Sequence, residues 1–395
     1  LSKYAAQGVI SERKMQVAAM AYSITRFQKN SPALVEVALA QRDERVPMLD
    51  SADLGGADLR KTDLSGGNLR EANLSEANLS GAYICGAYLH KANLSGSNLS
   101  GANLSKAIMI GVNLIGANLR GASLRGTDLR ATDLCGVNLA GADLNKAYLI
   151  EADLIGADLG RADLSGANLS RANLSGANLS GADLSEADLS RTILIGTDLS
   201  RANLSKAKLG GANANKANLS KANLSEANLG LANFSEADLS GAYMFRTNLR
   251  GTNLIAANVS MANASGANLG RAYLFRAYLS KSDLSKADLS RANLIRADLS
   301  GADLSRANLS EANLSDANLE GAYLRATNCS GAALQGAQLF GSILTNTVFT
   351  GANLNNIQAD PSDFAGLDLT FLANVTIDVA TVQRLSLPVS LIKNQ

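Results

Sequence analysis

The sequence predicts an all-β solenoid with a short helical segment at its N-terminus, and three observations carry that prediction. From Ala52-Asp53-Leu54 to Leu367-Asp368-Leu369 the chain repeats every five residues, about 64 times in succession, with no slip of register. Nearly half of the 395 residues are apolar, yet aromatics make up 4% and Trp is absent, so Leu and Ala must fill the interior. A period of five matches neither the helical 3.6 nor the strand period of two, and a coil with regular corners is what keeps every Leu on one side.

Each unit has the same grammar. A small residue, mostly Ala, stands two before the centre, Asn or Asp one before, Leu at the centre, then commonly Ser, then Gly, Arg, Lys or Glu, as in Ala162-Asp163-Leu164-Ser165-Gly166. With one pentad per side of a coil, the centre and the residue two before it point inward and the other three point outward. Ile84, Met109, Phe234, Met244, Val259 and Phe349 keep the centre apolar, whereas Ala214 and Ala264 leave less filling and call for a larger neighbour or a small void. Thr127, Thr132, Thr192 and Thr197 fall on the inward small position, which removes the flat outward Thr array of an ice-binding surface.

The A(D/N)Lxx consensus of residues 52 to 369 resembles that of the pentapeptide-repeat family. The resemblance implies a right-handed quadrilateral β-helix with four pentads per coil. About 16 coils at ~4.8 Å each then form a rod roughly 75 to 80 Å long. Three segments follow: 1–50 as an N-terminal helical cap or partner-binding segment, 51–369 as the β-helix, and 370–395 as a C-terminal cap and tail.

Open β-helix ends expose strand edges, so both ends should be covered. Ser11 fits an N-cap before the apolar positions Met15, Ala18, Ala19, Tyr22 and Phe27, and Ser31-Pro32 opens a second segment with Leu34, Val35, Ala38 and Leu39. Two short helices are expected there, capping the first coil or gripping a partner. At the other end the residues stay rich in Val, Ile, Leu and Thr, and Pro388 prevents a clean central strand; a homodimer contact through a terminus is open.

Catalysis finds little support. His90, the one histidine, follows a central Leu and points outward, with no Ser or Cys partner for a triad, and no phosphate-loop, dinucleotide or zinc-protease motif appears. Cys85, Cys135 and Cys329 are widely spaced and odd in number, so neither a disulfide framework nor a zinc site is indicated, and a reducing, cytoplasmic setting is expected. Asp143, Asp163 and Asp183 lie 20 residues apart and would stack, but without a calcium-binding repeat pattern they read as a hydrated ladder. No enzyme activity, cofactor or metal is expected, and no membrane span.

The candidate function lies on the surface. Taken every 20 residues, one outward column where Ser is normal carries Ile115, Cys135, Ile155, Ser175, Ile195, Asn215, Ser235, Ile255, Phe275 and Ile295, flanked by Ile193 and Tyr273. A broken apolar stripe on a stiff wall marks a protein contact, against the plainer reading that Ile and Phe merely suit a strand surface. Tyr88, Ile108, Ile110, Tyr148 and Ile150 form a smaller cluster on the adjoining wall, which the N-terminal segment could cover.

Charge narrows the partner. Net charge is +1, but residues 131–200 hold ten acidic and four basic side chains and residues 201–300 thirteen basic and six acidic; the second stretch reads by default as a solvated face, and an acidic protein fits it at least as well as nucleic acid does. Nucleic acid is disfavoured because aromatics and bases scatter over several faces. The expected function is a non-enzymatic scaffold or linker; the family's abundance in cyanobacteria suggests a phycobilisome antenna. The alternative, that some family members regulate DNA gyrase by imitating duplex DNA, needs a continuous acidic surface that this charge division does not supply.

Overall fold

A corner every five residues makes the coil. The computed structural model describes residues 47–390 apart from 366 and 389, and the two helices expected before residue 40 lie outside the described residues. The described chain belongs to two compact units, Leu1–Asp188 and Leu189–Gln395.

In each unit the residue before the central one forms a parallel bridge with the residue 20 positions on, as in Asp53 with Asn73 and Asn213 with Asn233. Five residues per side and 20 per coil make four sides. Each side contributes a single bridge residue rather than a strand of several. Four backbone bonds recur per side: Leu54 N–H to Asn73 carbonyl at 2.7 Å, Gly56 N–H to Ser75 carbonyl at 2.8 Å, Asn73 N–H to Ala52 carbonyl at 2.8 Å, and the corner bond from Ala57 N–H to Leu54 carbonyl at 3.1 Å. Neighbouring coils thus satisfy one another's polar backbone.

The corner requires a positive φ at its second residue, as in a type II turn. Gly takes this position at many corners, for example Gly116 at φ 70°, and exposed long side chains take others, for example Lys106 at φ 60°. The Asn or Asp one before the centre buttresses the same corner: its Oδ1 accepts the N–H two residues on, as for Asn113 and Ile115 at 3.1 Å.

Inside, the central Leu and the small residue two before it are buried as expected, including the six apolar departures. Ala214 and Ala264 are compensated by larger neighbours in the same interior column, Phe234 one coil after the former and Met244 one coil before the latter, both buried. The four inward threonines are buried too. Thr127 donates its hydroxyl to the Leu104 carbonyl at 3.0 Å, which removes the penalty of a buried hydroxyl.

The regular register ends earlier than the sequence suggests. Gln338 still pairs with Gln358 at an interval of 20, but Asn353 pairs with Thr376 at 23, so three residues are inserted before the expected end at 369. Pro361 is the physical reason. It falls on the corner position that needs a positive φ, which the pyrrolidine ring forbids, and the chain turns instead into a 3₁₀ helix, Pro361–Phe364, followed by a second, Leu369–Leu372.

A short helix, α1 (Val379–Arg384), then completes a C-terminal cap. Phe364, Leu372, Val375, Ile377, Val382 and Leu385 are buried there, with the Phe364 ring stacked on Phe349 at 6.5 Å. The Arg384 guanidinium donates to the Ile357 carbonyl. Asp378 ties the pieces together: it accepts the Asn356 N–H at 2.6 Å, and the Thr381 N–H at 2.8 Å and hydroxyl at 2.7 Å. Burial alone would raise the Asp378 carboxyl, but these hydrogen bonds together outweigh it and hold the group below its usual value.

A depressed folded value means that the stabilisation is complete above the unfolded value, about pH 4, and is lost as pH falls through the folded one. We expect Asp378→Ala to cost ~1 kcal/mol at neutral pH. The variant should speed hydrogen exchange at Thr381 and Asn356 and lose the acid-dependent step of the cap. Unchanged exchange at both amides would show that the carboxylate does not hold the cap.

Candidate protein-binding surface

Because centre and small residue face inward, the residue before and the residue after each central Leu form the walls, and the corner residues form the edges. All eight residues expected to form the contact point outward. Ile115, Ile155, Ile193, Ile195, Ile255 and Tyr273 are exposed, from 37% for Ile255 to 58% for Ile115, and Phe275 and Ile295 are half-buried.

In the first unit, Ile115, Cys135 and Ile155 occupy three successive coils of one wall; the adjoining edge residues, Gly116, Gly136 and Gly156, carry no side chain that would stand over it. Burial, then the carboxyl groups of Asp133 and Asp153, push the Cys135 thiol up to about 12. The thiol is therefore neutral at pH 7 and belongs with its Ile neighbours as an apolar group. In the second unit Ile193 and Ile195 share one side of a coil, while Ile255, Phe275, Ile295 and Tyr273 gather three coils further on. Asn215 and Ser235 separate these groups, with the Asn215 amide donating to the Ser235 carbonyl and hydroxyl, each at 2.9 Å.

The apolar pairs cost the fold a corner bond. Where Asn precedes the centre, its side chain caps the corner, as Asn253 does for the Ile255 N–H at 3.1 Å. Where Ile193 or Tyr273 stands instead, there is no such acceptor. Each lost bond is worth about 0.5–1.5 kcal/mol, so these apolar side chains do not serve the fold locally.

The smaller cluster also assembles on one wall of the first unit. Tyr88 bridges Ile108 directly, Asp128 separates Ile108 from Tyr148, and Arg70 stacks over the Tyr88 ring at 5.0 Å. On that wall the Arg130 guanidinium pairs with Asp128 at 2.7 Å, and its hydrogen bond holds the Asp128 carboxyl below the usual carboxylate range. His90 is half-buried beside Tyr88.

Asp143, Asp163 and Asp183 do stack in register. Among the described residues no group of three or more His, Cys, Asp or Glu is placed to hold a metal ion, and no described helix is long and apolar enough to cross a membrane.

Among the exposed side chains that escaped the column reading, two stand out the most. Leu231 is 79% exposed and Met261 68%, both on corner positions where Gly or a charged residue is usual. An apolar residue at a corner is itself the signal that would have found them.

A four-sided β-helical solenoid whose distinctive chemistry lies on flat outer walls is the class of protein this geometry defines. A family model of pentapeptide repeats matches successive segments from 52–90 to 334–370, and the chain belongs to that family, whose members form right-handed β-helices. Among solved structures, HetL, a pentapeptide repeat protein involved in heterocyst differentiation regulation in the cyanobacterium Nostoc sp. strain PCC 7120, is 32% identical over 55% of this chain and 86% of its own, with a TM-score of 0.25. A trypsin-treated form of QnrB1, a plasmid-mediated fluoroquinolone resistance protein, is 19% identical over 49% of this chain and 93% of its own, with a TM-score of 0.32. Rfr23, a pentapeptide repeat protein from the cyanobacterium Cyanothece 51142, is 32% identical over 32% of this chain and 64% of its own, with a TM-score of 0.14. No curated protein matches the chain.

Proposed function

We propose that this protein is a non-enzymatic scaffold that holds protein partners on its flat walls. The observation that carries the reading is the substitution of exposed Ile for the usual Ser at Ile115, Ile155, Ile195 and Ile255, joined by the outward, half-buried Phe275. These side chains neither fill the core nor brace the corners. Exposed apolar residues set on a stiff surface and rimmed by polar ones are the usual mark of a protein contact. Pentapeptide repeat proteins are generally structural or interaction proteins, which agrees.

The narrower reading, an antenna linker in a phycobilisome, rests on family distribution, with no residue that selects it. Duplex mimicry has the charge of residues 201–300 against it, thirteen basic side chains to six acidic.

The test is affinity capture from the source cell followed by calorimetry. It compares the wild type with a variant in which Ile155, Ile195, Ile255, Phe275 and Ile295 all become Ser. The variant restores the repeat consensus, so melting should barely change. A partner held by the wild type should be lost or weakened by several kcal/mol, at roughly 1.5–3 kcal/mol per fully buried side chain. Equal affinity would return these residues to mere wall decoration.

A further inference from the structure

The second unit carries the same outward-facing cluster twice. Tyr243-Met244-Phe245-Arg246 and Tyr273-Leu274-Phe275-Arg276 are the two places in the chain where Tyr, an inward residue, Phe and Arg follow in that order. Met244 and Leu274 are buried, and the flanking rings face outward: the tyrosines stand out to similar degrees, Tyr243 58% and Tyr273 53%, beside Phe245, 43% exposed, and Phe275, half-buried. In both clusters the guanidinium lies over its Phe ring, Arg246 at 5.0 Å and Arg276 at 5.2 Å from the centroid.

Their placement follows from the register. Tyr243 pairs with Asn223 and Asn263, and Tyr273 with Asn253 and Asn293. The clusters are therefore 30 residues apart, one and a half coils, which puts them on opposite walls about 7 Å apart along the coil axis. Walls that face away from each other can each hold a partner without collision.

Neither cluster serves the fold. Phe stands where Ser225, Ser265 and Ser235 occupy the equivalent wall positions, and Tyr displaces the Asn that would brace the corner. The arginines are also set apart from their neighbours. Arg291 pairs with Glu311 at 2.9 Å and Arg296 reaches Asp316 at 3.6 Å in the next coil. Among the described residues, Arg246 and Arg276 have no carboxylate within ion-pair distance, although Glu226 stands at the Arg246 corner one coil before.

Resting on the scaffold reading above, we propose that the second unit is bivalent: each Tyr–Phe–Arg cluster takes one copy of the same partner segment, an acidic stretch carrying a large apolar side chain. The two rings offer a flat apolar seat, and the stacked guanidinium presents its free N–H groups to a carboxylate beside it. The excess of thirteen basic over six acidic side chains in residues 201–300 draws an acidic segment to both walls.

The experiment uses the full chain and a defined probe, the capped peptide Asp-Phe-Asp-Asp-Leu-Asp, fixed separately to donor and acceptor beads of a proximity-luminescence pair. Wild-type protein should bridge the beads and raise the signal at least tenfold over a peptide with Lys in place of Asp. Phe245→Ser and Phe275→Ser should each still sediment with peptide beads but lose bridging, and the double variant should do neither. Arg246→Gln and Arg276→Gln should reproduce this with the rings intact. Bridging that survives both single Phe variants would come from self-association and overturn the proposal. So would loss of all binding with Phe275→Ser alone, which leaves a one-wall scaffold standing. Stronger bridging of oligothymidylate beads would replace the acidic peptide with single-stranded nucleic acid, and no binding to either bead would sink the assignment.

Discussion

Leu164→Asp should unfold the first unit at room temperature, whereas Ser165→Asp should leave it folded. Leu164 is fully buried on the coil axis, its N–H bonded to the Asp183 carbonyl at 2.6 Å, with Leu144 and Leu184 in the coils on either side. A carboxylate there has no donor to meet it, and either its desolvation or its forced protonation costs several kcal/mol. Lost packing of the isobutyl group adds to that. Against a net stability of about 5–15 kcal/mol for a typical domain, one such change is decisive, and because each coil rests on its neighbours the damage spreads along the stack.

Ser165 lies one residue further on and half-exposed. Its hydroxyl donates to Asp163 at 2.5 Å and accepts from the Asn145 amide at 2.7 Å. Replacing it by Asp sets two carboxylates side by side in water, at a cost on the order of 1 kcal/mol. Thermal melting followed by circular dichroism separates the two variants. Similar curves would mean that the inward and outward positions have been exchanged.

Such sharp contrasts could be stated from the sequence because a five-residue period repeats one environment dozens of times. Leu59 and Leu309 need the same thing for the same reason, and so do Thr127 and Thr132, whose burial follows from their place two before a centre. The wall positions of Ile115 and Phe275 came from the same reasoning once four sides were adopted. What escaped depends on dihedral angles and on contacts outside the repeat. Pro361 looks harmless as a letter in the pentad, yet it stands where φ must be positive, and the three-residue insertion follows. The bond from Asn356 to Asp378 joins residues 22 apart across an irregular cap, where no period relates one to the other. The twin Tyr–Phe–Arg clusters lay open in the sequence, but they acquire meaning only when 30 residues is recognised as one and a half coils.

Removing the cap should change the state of association more than any surface substitution. Ending the chain at Gln358 takes away the partners of four backbone bonds: Phe349 N–H to Phe371 carbonyl at 2.9 Å, Gly351 N–H to Ala373 carbonyl at 2.9 Å, Leu354 N–H to Thr376 carbonyl at 2.7 Å, and Thr376 N–H to Ala352 carbonyl at 2.9 Å. It also uncovers the interior beside Phe349, Leu354 and Ile357, all fully buried in the full chain. The new end presents unpaired donors and acceptors around an apolar centre, which is a template for another β edge. Two truncated ends meeting would satisfy both. We expect light scattering after size exclusion to show a mass that rises with concentration for the truncated chain and stays constant for the full one, with Asp378→Ala in between because it loosens the cap without deleting it. A truncated chain with constant mass and unchanged melting would mean that the last regular coil needs no cover, and the buried side chains of residues 361–385 would then have to be explained by something other than protection of the edge.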